Sequence, residues 1–500
     1  MSEVYNELSK QMKEVKLLSN SQAMLFWDIR TYMPSEGIEQ RGQQLSILGR
    51  IIHEKGTDPK IGTYISQCLK PDSSLDEIQK RNVELWKREY DRETKIPSDL
   101  VVRYTKQSTI TEHKWEEAKH KHNFELIKPD FEKMLELVKE RAHALDPEKP
   151  VYDALLDEYE PKITAADINK FFIPLKEGVI KLIKKYQSSV ADNPPDASIL
   201  RKKIPVEQQK QVSKWIMNFL GMPANRSRVD QAEHPFTTGL AKDVRITTHY
   251  LDEEPMAAIY STLHEGGHAL YELNTPEKHW WTAVGETISM GIHESQSRFC
   301  ENIVGKNPTF LKYFYPNVIQ KFMPAFNSIN VDTFTRSINA ITPSKIRIYA
   351  DEVTYNLHVI LRFEIEQDLI AGKVSVAELP NIWNEKMEKY LGVKIENDTE
   401  GVLQDTHWYG GLIGYFPTYV LGNIYNSQML ATMKKTIPDW ENQLATGKFE
   451  NIRNWLITNV QSMGSLYDPI DLIKKISNEP PNTQYFLDYL NEKYSQIYDL

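Results

Sequence analysis

Apolar residues recur three and four positions apart through most of the chain, with charged residues between them. SDLVVRYTKQSTITEHKWEEAKHK (98–121) and KPDFEKMLELVKERAHAL (128–145) carry this pattern, which predicts amphipathic helices. Pro129 suits the first turn of the second. Residues 164–189 open on a Thr164 cap with Asp167 at the capping-box position, then run as an apolar stripe interrupted at Pro174. Residues 205–222 read the same way. One segment departs: HPFTTGLAKDVRITTHY (234–250) is rich in Thr and Val, and VRITTHY alternates. A short β-hairpin is expected there, directly before another helix. The Pro- and Asn-rich stretch 188–198 reads as a surface loop, not a joint between halves. The prediction is a mainly α chain forming one large helical domain over 1–500, with a short hairpin.

The composition is that of a globular protein: 500 residues, 40% hydrophobic and 26% charged. A chain of this length buries a large core without disulfide staples. Cys68 and Cys300, the only cysteines, are far apart and read as idle thiols in a reducing compartment. The start, MSEVYNE, is polar and acidic, unlike a signal peptide. The most apolar stretch, 410–424, is short for a membrane span and is broken by Pro417, Thr418 and Asn423. A cytoplasmic location is expected, with no membrane partner. The net charge of −9 and the lack of a compact basic patch argue against a nucleic-acid partner.

Candidate chemistry centres on His264-Glu265-Gly266-Gly267-His268. On a helix, residues four apart share a face, so His264 and His268 can aim two imidazoles at one ion. Glu265, one step round, can reach a water at that ion without ligating it. Two imidazoles and an open position suit zinc. Each glycine costs roughly 1 kcal/mol in a helix, and the pair reads as clearance for another segment or for substrate. A catalytic site needs a third ligand. GETISMGIHESQSRFCENI (285–303) looks like a return helix and carries Glu294, 26 residues after His268; Glu286 and Glu272 compete with it on spacing alone.

Five motifs then stand in order: DVRIT (243–247), HEGGH (264–268), HESQ (293–296), IRIYAD (346–351) and GVLQDTHW (401–408). Together they resemble the carboxypeptidase Taq family of metallocarboxypeptidases. The resemblance begins at FWDIRTYMPSEGIEQRGQQLSIL (26–48) and covers nearly the whole chain. It implies a helical fold with a deep substrate groove between two lobes, similar to angiotensin-converting enzyme and thimet-type oligopeptidases. It implies a homodimer that removes single C-terminal residues from short peptides with broad specificity. The implied metal ligands are His264, His268 and Glu294, holding one zinc ion, with cobalt as a substitute.

Further roles follow from that resemblance. Glu265 is the expected general base. Arg347 is the expected anchor for the terminal carboxylate, with Arg245 next in line. His407, Tyr415 and Tyr419 are expected donors to the oxyanion, in a segment that Gly410, Gly411 and Gly414 would let move. Asp243, Arg245 and Thr247 sit where a peptide could add along a hairpin edge. Asp351 and Asp405 are expected to support the histidine ligands. Trp27 and Tyr32 read as core, and helices over about 1–125 as a roof on the groove. Two alternatives stand beside this reading: a helical oligopeptidase or dipeptidyl carboxypeptidase, and a non-catalytic scaffold that keeps a metal for stability.

Overall fold

Helices form where the apolar spacing puts them. The computed structural model describes residues 2–500, and helix accounts for 69% of the chain. Helices run over Ser98–His120, Lys128–Leu145, Ala165–Ser189 and Val206–Leu220. The third begins on a complete capping box, Thr164 and Asp167 each bonding the other's amide. Pro174 does not interrupt it. Pro174 and Lys170, whose carbonyl loses its partner, are both exposed, so that carbonyl can turn to solvent and the helix continues. Residues 190–196 form the expected loop.

The hairpin is present but belongs to a larger sheet. β2 (Thr237–Leu240) pairs antiparallel with β3 (Asp243–Thr248). An unforeseen strand, β1 (Ser227–Gln231), pairs parallel with β3 on its other side, giving the order β1-β3-β2. Its sequence, SRVDQ, has one apolar residue and no alternation to read. β3 is therefore central, and Asp243, Arg245 and Thr247 do not lie on a free edge. The edge beside the helix Pro255–Asn274 is β2.

One continuous core runs from Ala118 to Tyr498. A second, smaller core joins Tyr5, Leu8, Ile61, Val83 and Trp86 of the N-terminal helices to Ala283. The first helix, Ser2–Thr31, lies against the sheet. Phe26 meets Phe236 edge-on at 6.4 Å, and the Arg245 guanidinium stands 4.3 Å over the Trp27 ring. Trp27 is buried as expected, but Tyr32 is 61% exposed. Its hydroxyl donates to Asp230 at 2.5 Å, and its ring lies against Trp27 and the Arg228 guanidinium, each at 5.6 Å. Cys68 and Cys300 are buried free thiols, and burial pushes Cys300 up to about 12. Among the described residues no helix is long and apolar enough to cross a membrane.

Candidate active site

Three helices meet at the site. His264, Glu265 and His268 stand on Pro255–Asn274, Glu294 on Met290–Arg298, and Tyr419 on Pro417–Thr436. The crossings are close because glycines occupy them. A Cβ on Gly267 would stand 2.4 Å from the Gln296 carbonyl oxygen and 2.6 Å from Ser297 Cα. One on Gly266 would meet Leu220 Cδ1 at 2.3 Å, and one on Gly422 would meet Glu294 Cγ at 2.8 Å. The two glycines of HEGGH thus clear neighbouring helices rather than the groove.

That packing brings His264, His268 and Glu294 together, with all three ligand atoms within 4.8 Å of one another. His264 Nε2 and His268 Nε2 lie 3.6 Å and 3.4 Å from Glu294 Oε2. Zinc bonds of about 2.0–2.2 Å at tetrahedral angles separate ligand atoms by roughly 3.3–3.6 Å, so both nitrogen–oxygen separations fit such an ion. The competing carboxylates are engaged elsewhere. Glu272 faces His293 Nε2 at 3.0 Å, and Glu286 pairs with Lys16 at 2.7 Å.

Charge is arranged around this cluster. Burial alone would raise the Glu294 carboxyl, but Arg298 and His264 more than offset it and hold it well below the usual carboxylate range. Burial, with His293 beside it, pushes His268 down to about 3, leaving a neutral ring ready to ligate. His264 shifts the other way: burial favours the neutral ring, yet Glu294 and Glu301 outweigh it. A metal ion would displace that proton. Glu265 is 6% exposed. Burial raises its carboxyl, while His264 and the Thr237 hydroxyl, 2.7 Å from Oε2, work against the rise.

The cluster opens on a cavity of about 490 Å³ walled by Phe236 and Thr237 on one side and Tyr415, Thr418 and Tyr419 on another. Burial raises both phenols, so each stays an O–H donor at neutral pH. His407 is outside this wall. Its ring stacks on Tyr415 at 5.5 Å and meets Phe416 at a tilt at 4.7 Å, its Nδ1 has no hydrogen-bond partner, and burial pushes it down to about 4. Gly411 serves close packing, since a Cβ there would stand 2.3 Å from the Tyr104 hydroxyl.

Arg347 is 6% exposed and already bonded. Its Nη2 donates to Asp405 at 2.8 Å, Nε to the same carboxylate at 3.1 Å, and Nη1 to the Tyr355 hydroxyl at 3.0 Å. Three of a guanidinium's five N–H groups are so used, and the group lies 5.4 Å from the Tyr419 ring centroid. Arg245 is tied to Asp243 at 2.8 Å and to Trp27, away from the cavity wall.

Asp405 and Asp351 do not support the histidine ligands. Asp405 is gripped by Arg347 and by Arg362, the latter at 2.6 Å, and Asp351 accepts from the amides of Thr342, Val353 and Thr354. The groups on the far nitrogens are Glu301, 2.9 Å from His264 Nδ1, and His293, whose ring touches His268 Nδ1. Thr237, Arg298 and Glu301 were not anticipated from the sequence. Arg298 and Glu301 follow Glu294 by four and seven residues, a same-face spacing that could have pointed to both.

The whole chain has close relatives of known kind. Residues 7–494 match the family described as Carboxypeptidase Taq (M32) metallopeptidase. Carboxypeptidase 1 of Bacillus subtilis (strain 168) is 39% identical over 488 residues, 97% of each chain. Thermostable carboxypeptidase 1 of Thermus thermophilus is 36% identical over 506 residues, 99% of each. The solved structure of Pyrococcus furiosus carboxypeptidase, Apo-Mg, superposes with a TM-score of 0.95 at 34% identity, covering 99% of both chains. Similarity of this extent, over a fold that gathers a two-histidine, one-glutamate cluster, shows that the chain belongs to the carboxypeptidase Taq (M32) family and is a metallocarboxypeptidase, a peptide hydrolase.

Proposed function

We propose that this carboxypeptidase holds one zinc ion, or cobalt in its place, on His264, His268 and Glu294, and releases single C-terminal residues from short peptides of broad sequence. The observation that carries the reading is the convergence of three ligand atoms beside a buried, non-ligating carboxylate, Glu265. A divalent ion bound there supplies Lewis acidity, which acidifies water and polarises a peptide carbonyl. Glu265 takes the proton of the attacking water and passes it to the leaving amine. Tyr415 and Tyr419 donate to the oxyanion, with His407 steadying Tyr415 from behind. Arg347 offers its two remaining N–H groups to the terminal carboxylate, and Arg245 serves the sheet. An extended peptide adds along β2, the free edge at the cavity. In this reading the chain is one domain of two lobes, roofed by the helices of about 1–125, and works in the cytoplasm as a homodimer.

Timed digestion of unblocked peptides of increasing length, with and without chelator and followed by mass spectrometry, tests this function. Metal-dependent loss of one residue at a time supports it. Internal cuts or paired losses select an oligopeptidase or dipeptidyl carboxypeptidase, and bound metal without hydrolysis selects a scaffold.

Four substitutions probe individual roles. Tyr415→Phe or Tyr419→Phe, whichever removes the oxyanion donor, should lower kcat by about 10²–10³-fold; a tyrosine that only packs loses little. Arg347→Ala should lower kcat/KM about 10²-fold on free C-termini, the weight of one or two charge-assisted hydrogen bonds. Equal slowing of C-terminally amidated peptides would reduce Arg347 to a structural ion pair. Glu265 must be ionised to accept a proton, so activity falls as pH drops through its pKa. Thr237→Val removes a group that opposes the burial-driven rise, so the acid limb of the kcat/KM profile should move to higher pH. An unmoved limb belongs to another group.

A further inference from the structure

A single carboxylate reaches two of the three ligands. Glu301 stands on a π-helical turn, Phe299–Gly305, that continues from Met290–Arg298, and its side chain is 13% exposed. Its Oε2 lies 2.9 Å from His264 Nδ1 and accepts from Arg298 Nη1 at 3.3 Å. Arg298 Nε in turn donates to Glu294 Oε1 at 2.7 Å. The other Glu301 oxygen, Oε1, accepts from Lys306 Nζ at 3.3 Å.

An ionised carboxylate cannot donate, so His264 must carry its proton on Nδ1. Once a metal ion displaces the other proton, the Nε2 lone pair faces Glu294 Oε2 and the position of the ion. The same carboxylate oxygen also holds Arg298, and Arg298 holds the oxygen of Glu294 that does not face the histidines. On His268 the arrangement differs: its Nδ1 meets the His293 ring, not an acid.

The turn that presents Glu301 is pinned from outside the cavity. The Asn302 carbonyl accepts from Lys493 Nζ at 3.2 Å and from the Tyr489 hydroxyl at 3.3 Å, both on the helix Gln484–Tyr498. Lys493 is itself paired with Glu352 at 2.6 Å. At the end of the turn, Gly305 admits Leu263 of the HEGGH helix; a Cβ there would stand 2.6 Å from Leu263 Cδ1. Such wide turns recur at functional sites.

We infer that Glu301 is a positioning residue for the metal centre, orienting His264 directly and Glu294 through Arg298. The inference rests on the ligand set proposed above. Carboxylates that hold a ligating histidine change metal affinity by ~10–100-fold when removed.

The test is metal affinity, read on the full-length protein by competition for Zn(II) against a chromophoric chelator, with the visible spectrum of the Co(II)-loaded protein beside it. Glu301→Gln should raise the Zn(II) dissociation constant by ~10–100-fold and alter the Co(II) bands. Lys306→Met, which removes only the Oε1 partner, should keep both near wild type. A wild-type dissociation constant in Glu301→Gln overturns the inference. So does an equal loss in Lys306→Met, which would make Glu301 a general ion-pair hub. Should Glu301→Gln fail to fold, Glu301→Asp keeps the charge but withdraws the oxygen from His264: weakened affinity supports the inference, and wild-type affinity overturns it. If His264→Ala binds Zn(II) as well as the wild type, the ligand set itself falls, a failure distinguishable from that of Glu301.

Discussion

Glu265→Gln is expected to lower kcat/KM by about 10²–10⁴-fold, the usual weight of a positioned general base, while the protein keeps its metal. Glutamine preserves the size of the side chain and still offers an oxygen to the Thr237 hydroxyl, which bonds Glu265 Oε2 in the native site. The substitution therefore leaves the cavity wall in place and removes the basic oxygen. Glu265 is not one of the three residues whose ligand atoms converge, so metal content should match wild type on the same preparation. Hydrolysis of an unblocked peptide and metal analysis, measured together, check both halves. Near-wild-type turnover would move the base to another group.

Gly267→Ala should cost about 3 kcal/mol of stability, the upper range for overpacking, and should weaken metal binding with it. The added methyl would press into the Gln296 carbonyl oxygen at 2.4 Å and Ser297 Cα at 2.6 Å. Both are backbone atoms of the helix that carries Glu294, so neither can turn aside. Relief requires the two helices to separate, and their spacing sets the 3.4 and 3.6 Å gaps between ligand atoms. Gly266→Ala is the internal comparison. Its methyl meets the end of the Leu220 side chain, which can rotate, and alanine regains roughly 1 kcal/mol of helix propensity. Denaturant midpoints of the two variants, with and without metal, check the difference. Equal stabilities would mean that the crossing adapts freely.

What was legible in the chain follows from how local each signal is. Four of the helices between residues 98 and 222 are carried by their own apolar spacing, one of them with a capping box, and they stand where that spacing puts them. β1 has no such signal, because its strand character comes from pairing with β3. The histidines four apart on one helix are a local pattern too. Glu294 could be told from Glu272 and Glu286 only by family resemblance until the helix crossing turned it inward. The groups behind the ligands were misassigned to Asp351 and Asp405, since such partners come from distant segments. Arg298 and Glu301 were within reach of helix arithmetic. The HEGGH glycines read as clearance for another segment or for substrate, and the structure selects the first, with Leu220 and Gln296–Ser297 taking the space; the sequence carries no mark of which neighbour needs it. Tyr32 reads as core because an aromatic ring is largely apolar, and only its surroundings leave it exposed.

Asp405 lies between two buried arginines, Arg347 and Arg362. The trio carries one positive charge in excess, in a place where salt screens weakly. An incoming carboxylate brings the local sum to zero, and a neutral amide leaves it unchanged. On the anchoring role proposed for Arg347, preference for chain ends over internal peptide bonds would then be a matter of local electroneutrality as much as shape. Asp405 and Tyr355 already hold the Arg347 guanidinium in one orientation without substrate.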